Sequence, residues 1–131
     1  MNNLKFRVWD KVLKVMSEII RIDLLKNEIT YFETDNCCYK EININFNNYV
    51  IMQSTGLFDK YGVEIYEGDI IDVGTRIPFL NKIQRDEETA YLKLVPLDKR
   101  WTESYFTNFE DKSRYEVVGN IYENKELLEN E

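Results

Sequence analysis

The sequence predicts a mainly β fold, a small barrel or sandwich that ends in one short helix. Apolar and polar residues alternate in several short segments, and a period of two is the pattern of half-buried strands. Four of the five glycines stand six residues apart, at Gly56, Gly62, Gly68 and Gly74. Short strands separated by tight turns are typical of small all-β domains.

The first half of the chain contains five predicted strands. They cover residues 4–8, 17–25, 28–33, 42–46 and 49–54. Lys26–Asn27 and Asn47–Asn48 lie between consecutive strands, and asparagine tolerates the positive φ that a tight turn requires. The pattern therefore predicts two hairpins in this half.

The regularly spaced glycines predict tight corners between strands. In 59-DKYG-62, aspartate and glycine occupy the first and fourth positions of a type I turn. Gly68 directly precedes a predicted strand at 69–73, and the first and last of the four glycines bracket the segment. Neither the P-loop spacing nor the G-x-G-x-x-G fingerprint occurs, so the glycines indicate structural turns and not a phosphate site.

The second half of the chain has fewer clear elements. Residues 76–88 are predicted as a loop, because Pro78 interrupts them and their tip is charged. Strands are predicted at 89–95 and 115–122, and the helix at 123–131. For the whole chain, the predicted interior residues are Phe6, Trp9, Ile65, Ile70 and Val117.

The formal net charge is −7, which argues against tight binding to nucleic-acid backbones. Residues 1–26 carry six basic groups against three acidic ones, and residues 102–131 carry eight acidic groups against three basic ones. Two interpretations stay open. Either these segments are solvated faces of opposite sign, or the start of one subunit docks near the end of another.

Cysteine and histidine usage limits the cofactor chemistry. Cys37 and Cys38 are adjacent, which rarely permits a disulfide between them, and the chain contains no histidine. We therefore expect no zinc site and no cofactor. Free thiols fit a reducing cytoplasm, and the sequence shows neither a secretory signal nor an apolar run of membrane-spanning length. We expect a cytoplasmic protein without a membrane partner.

Three segments carry a family resemblance. They are the opening KFRVWDK, the central VIMQSTGLFDKYGVEIYEGDIIDV and the closing YEVVGNIYENKELL. In this order they resemble the YopX family of bacteriophage and prophage proteins, although Lys125 stands where the family usually has proline. The resemblance implies a β-rich N-terminal subdomain at 1–53, an SH3-like barrel with the C-terminal helix at 54–131, and a homo-oligomer. It implies no catalytic residue or cofactor.

A group of carboxylates offers an alternative, enzymatic function. Glu64, Glu67, Asp69 and Asp72 cluster around the second and third glycine turns. Two carboxylates together with water can hold Mg²⁺. Acidic residues beside glycines are also ordinary turn residues. We therefore expect no metal here and keep a metal-dependent enzyme using residues 64–72 as an alternative.

Four aromatic residues lie in the segment 99–109, namely Trp101, Tyr105, Phe106 and Phe109. Such side chains could stack the bases of single-stranded nucleic acid, which is the second alternative function. Aromatic residues are also enriched in protein interfaces. We predict that these four contact another subunit or a host or phage protein.

Together with the resemblance, which implies the phage or prophage origin, the sequence predicts an accessory protein of the host bacterial cytoplasm. We expect it to act by binding, without catalytic residues, as a self-associating protein-binding module. Its partners would be copies of itself and a protein of the host or the phage, with nucleic acid an unlikely ligand on charge grounds.

Overall fold

The protein is described by a computed structural model. Its described residues form twelve strands and one short helix, so the prediction of a mainly β chain with a terminal helix is confirmed. The chain divides into two compact units, Met1–Gln53 and Ser54–Glu131. The SH3-like character of the second unit stays a prediction. The described residues are 5–34, 39–45, 47–105 and 114–129.

Six strands begin in the first unit: β1 (Phe6–Asp10), β2 (Val15–Glu18), β3 (Arg21–Asp23), β4 (Glu28–Thr34), β5 (Tyr39–Asn45) and β6 (Tyr49–Phe58). β1 lies between β2 and the first half of β6, and both pairings are antiparallel. β4 lies between β3 and β5 in an antiparallel sheet of three strands. The buried core of this unit consists of Val8, Ile29, Tyr31 and Ile44.

The hairpin predicted around residues 26–27 is confirmed, since β3 pairs with β4 and Asn27 has a positive φ of 53°. The second predicted hairpin is wrong. Asn47 has a positive φ of 74°, but β5 pairs with β4 and β6 pairs with β1. A positive-φ residue fixes only the local change of direction, whereas the partner strand is chosen by its buried face and register.

The second unit contains the second half of β6 together with β7 (Glu64–Tyr66), β8 (Asp69–Asp72), β9 (Leu80–Arg85), β10 (Leu92–Pro96), β11 (Ser104–Tyr105), β12 (Glu116–Asn120) and α1 (Lys125–Glu129). Five strands form one antiparallel sheet in the order β11-β10-β9-β8-β12. β7 pairs with the end of β6. The buried core consists of Ile65, Ile71, Ile83, Leu94 and Tyr115.

The loop predicted at 76–88 is wrong in its centre, because β9 lies between β8 and β10 in the sheet. The alternation of apolar and polar residues in β9 is not visible in the sequence, because Asn81, a polar residue that is 2% exposed, occupies an inward position. Of the five predicted interior residues, Ile65 and Ile70 are fully buried, and Phe6, Trp9 and Val117 are half-buried. The cysteine pair 37–38 lies outside the described residues.

Candidate interaction surfaces

Aspartate side chains hold several turns of the protein in shape. At the turn between β1 and β2, Oδ1 of Asp10 accepts hydrogen bonds from the backbone N–H groups of Val12 at 2.9 Å and Leu13 at 3.1 Å. Lys14 follows with a positive φ of 58°, and its N–H donates to the Asp10 carbonyl at 2.7 Å. The aspartate thereby satisfies turn N–H groups that have no strand partner.

The turn between β3 and β4 repeats this arrangement with leucines at its tip. Oδ1 of Asp23 accepts the N–H groups of Leu25 at 3.0 Å and Lys26 at 3.1 Å, and Asn27 has the positive φ. Leu24 and Leu25, which we call the leucine tip, are 83% and 98% exposed. Because the carboxylate fixes the turn backbone, the two apolar side chains are held outward in water.

Asp10 also has a second partner, in the core of the first unit. The hydroxyl of the fully buried Tyr31 donates to Oδ2 of Asp10 at 2.8 Å. Burial raises the pKa of the Tyr31 hydroxyl, and the hydrogen bond and the negative charge of Asp10, with a contribution from Glu33, raise the pKa further. Tyr31 therefore remains a neutral donor well above its ordinary range.

In the second unit, Asp59 performs the same task for the turn between β6 and β7. Its Oδ1 accepts N–H groups from Tyr61 at 2.8 Å and Val63 at 2.9 Å, and its Oδ2 accepts that of Val117 at 2.9 Å. Burial by itself raises the pKa of Asp59. The three backbone donors and the charge of Lys60 outweigh burial, so that the pKa lies below its usual value.

The four evenly spaced glycines all have positive φ, between 80° and 87°, but they occupy different environments. Gly62 ends the Asp59 turn, with its N–H donating to the Asp59 carbonyl at 3.0 Å. Gly68 lies in the turn between β7 and β8. Gly56 lies inside β6, where the register shifts. Gly74 follows β8, in contact with Arg114, and a side chain there would overlap Arg114 Cβ at 2.5 Å.

The four carboxylates considered as metal ligands have separate partners. Glu64 accepts a hydrogen bond from the Ser54 hydroxyl, and Glu67 pairs with Arg85. Asp69, which is 1% exposed, accepts the Tyr66 N–H at 2.8 Å. Asp72 accepts the N–H of Gly74 at 3.0 Å. Among the described residues, His, Cys, Asp and Glu side chains do not come together in any group of three that could hold a metal ion.

Of the four predicted interface aromatics, the structure describes the side chain of Trp101. It is 61% exposed and meets the ring of Phe79 edge-on, with 5.6 Å between ring centroids. Tyr105 belongs to β11. Phe106 and Phe109 lie outside the described residues.

Sequence reasoning recognised the aspartate-headed turn that ends in glycine, 59–62, but missed three others. In each of these turns a residue other than glycine has positive φ and stands four positions after the aspartate. The pairs are Asp10–Lys14, Asp23–Asn27 and Asp86–Ala90. The signal in the sequence was the aspartate that ends each apolar segment. The exposed tips of two of these turns are apolar: Val12 and Leu13 follow Asp10, and Leu24 and Leu25 follow Asp23.

The described molecule is a mainly β protein whose turns expose large apolar side chains. A model of the YopX family, described as "YopX protein", matches residues 5–129, and the chain belongs to this family. Protein EF1440 from Enterococcus faecalis has a similar crystal structure. It is 28% identical, with a TM-score of 0.61 over 98% of this chain and 99% of that one.

No curated protein matches the sequence. In the parts of the chain that the structure describes, no helix has the length and apolar content needed to cross a lipid bilayer.

Proposed function

We propose that this protein is a non-catalytic accessory protein of a phage or prophage that associates with itself and with other proteins in the host cytoplasm. The leucine tip carries this proposal. Leu24 and Leu25 are adjacent, almost wholly exposed and attached to a turn that the Asp23 carboxylate holds in one conformation.

The energetic reason is the cost of leaving leucine in water. Full burial of one leucine side chain is worth about 1.5–3 kcal/mol. A second copy of the chain that covers the tip would recover part of this energy at little entropic cost, since the turn is already ordered. A family resemblance that implies a homo-oligomer supports the choice of a second copy as the occupant.

Sedimentation velocity over a concentration series tests this proposal. We expect the natural protein to associate and the double variant Leu24→Ser/Leu25→Ser to associate at least about tenfold more weakly. Val12→Ser/Leu13→Ser is the matched control, because it makes the same apolar-to-polar change at the similar Asp10 turn. A natural protein that sediments as a monomer at every concentration, or equal association by both double variants, would contradict the proposal.

A further inference from the structure

The five-stranded sheet of the second unit has two ends of opposite charge. β8 and β12 are antiparallel, and Asp72 pairs with Glu116 while Asp69 pairs with Asn120. The Asp72–Glu116 pair lies at the end of the sheet from which the loop 73–79 emerges. The turn 97–101 follows β10 at the same end, because Pro96 pairs with Asn81 at the start of β9.

Three contacts join the segments of this first end. The Leu97 N–H donates to the Leu80 carbonyl at 3.1 Å, and the rings of Phe79 and Trp101 meet edge-on. Arg114, just before β12, packs so closely on Gly74 that only glycine fits there. The loop, the turn and the start of β12 thus form one continuous surface.

This surface, which we call the basic end, is positively charged and partly apolar. Its cations are Arg76, Lys99, Arg100 and Arg114, and the carboxylates of Asp72, Asp98 and Glu116 lie at the same end. Glu116 is paired with Lys60, so unpaired positive charge remains in excess. Arg100 is paired with Asp98, whereas the other three form no ion pair within the described residues. Trp101 and Ile77 are 61% and 77% exposed at the same place. An apolar centre with a charged rim is the usual anatomy of a protein interface.

The opposite end of the sheet is acidic. The loop 86–91 joins β9 to β10 there, and residues 121–129 follow β12 at that end. The acidic end therefore collects Asp86, Glu87, Glu88, Glu123 and Glu126, against the bases Arg85 and Lys125. Arg85 is already paired with Glu67.

The two ends of one sheet cannot meet each other. β12 alone separates Arg114 from the terminal helix by five residues, which is about 16 Å of extended chain. Opposite charges at the two ends of a rigid sheet attract between molecules instead, where the apolar residues of the basic end can also lose water.

We infer that the basic end of the second unit of one copy docks on the acidic end of the second unit of another copy, head to tail. This inference rests on the proposed self-association and adds to the leucine tip a further contact, between the second units of two copies. Such a contact joins two different patches, so each copy has one free end and further copies can add until a ring closes. Because both patches lie at the protein surface, salt weakens the contact.

Two charge-reversal variants test the inference in sedimentation velocity at low salt. Arg76→Glu/Lys99→Glu removes the basic end, and Glu87→Lys/Glu88→Lys removes the acidic end; all four side chains are exposed. We expect at least about a tenfold loss of self-association in each variant alone. Mixed together, they should associate again, because the intact basic end of one variant meets the intact acidic end of the other. Arg76→Lys/Lys99→Arg is the matched control and should associate like the natural protein.

Each outcome decides between the two proposals. If the natural protein associates and both charge-reversal variants associate equally well, the head-to-tail contact is wrong while self-association stands. If neither charge-reversal variant associates alone and their mixture does not associate either, the head-to-tail contact is also wrong. A natural protein that remains monomeric at every salt concentration contradicts both proposals. A further arm of the experiment adds a labelled single-stranded oligonucleotide. If Arg76→Glu/Lys99→Glu abolishes salt-sensitive binding of the oligonucleotide but leaves self-association unchanged, the basic end binds nucleic acid instead.

Discussion

Asp59 accepts a hydrogen bond from the backbone N–H of Val117, which lies 58 positions further along the chain, at 2.9 Å. The same carboxylate accepts the N–H groups of Tyr61 and Val63 in its own turn. Nearby, the Lys60 N–H donates to the Tyr115 carbonyl at 2.9 Å. The buried side chain of Asp59 therefore connects the turn between β6 and β7 to β12, an edge strand of the five-stranded sheet.

The first prediction concerns the removal of this carboxylate. Asp59→Ala leaves three backbone N–H groups without their acceptor, and we expect the free energy of unfolding to fall by about 3 kcal/mol. Urea denaturation measures the loss. Asp98→Ala is the control, since Asp98 accepts the N–H of Arg100 in an exposed turn, and its effect should be much smaller. Equal effects of the two variants would contradict the role given to Asp59.

The second prediction is a pH dependence. The pKa of Asp59 is lower in the folded protein than in an unfolded chain, so the ionised carboxylate stabilises the fold. This contribution is complete above the unfolded value of about 3.9 and is lost as the pH falls through the lower folded pKa. Denaturation of the natural protein and of Asp59→Asn from neutral to acid pH should show their stabilities converging in acid. A constant difference would contradict this.

The third prediction compares two glycines of equal backbone conformation. Gly74 and Gly62 have φ of 81° and 82°, but only Gly74 has a close neighbour, Arg114. Gly62→Ala should cost about 1–2 kcal/mol, the strain of a left-handed residue. Gly74→Ala adds a steric overlap and should cost about 1–3 kcal/mol more. Thermal unfolding of both variants measures the difference, and equal losses would show that the Arg114 backbone yields to the extra carbon.

The fourth prediction concerns the buried tyrosine of the first unit. Tyr31→Phe removes the hydroxyl that donates to Asp10 and should lower the free energy of unfolding by about 1–3 kcal/mol. In the natural protein the raised pKa means that the neutral hydroxyl stabilises the fold fully below about pH 10, and that this stability is lost as the pH rises further. An absorbance titration should show one tyrosine fewer ionising around pH 10 than the unfolded chain shows.

The fifth prediction concerns the ion pair at the basic end. Hydrogen bonds from the Arg100 side chain, then from its backbone N–H, lower the pKa of Asp98 to about 2. Arg100→Ala removes the side-chain donors, and the pKa of Asp98 should move toward the ordinary value of about 3.9. A carboxyl carbon NMR titration of Asp98 in both proteins measures this change. An unchanged midpoint would mean that the ion pair does not persist in solution.

The sequence predicted the strand-rich class, the hairpin at residues 26–27 and the terminal helix because alternation and composition are local signals. It did not predict that β6 joins β1, since pairing depends on contacts between distant segments. β9 was missed because Asn81 places a polar side chain at an inward position.

The proposed interaction surfaces were predictable only in part. Trp101 was singled out by type and is exposed beside Phe79. The leucine tip was not singled out, because residues 24 and 25 were placed inside the predicted strand 17–25. β3 ends at Asp23, and the exposure of the two leucines follows from the turn that Asp23 forms. The charged ends were hidden because Arg76, Lys99 and Arg114 are far apart in sequence and the antiparallel register brings them to one end of the sheet.

β6 runs without a break from Tyr49 to Phe58, and the border of the two units falls in its middle. Its first half hydrogen-bonds with β1 and its second half with β7. A crossover between Gln53 and Ser54 would join two half-strands that each keep their own neighbour, whereas a break before Tyr49 or after Phe58 would separate β6 from β1 or from β7 of the same parent. Related genes that exchange halves should therefore break inside β6.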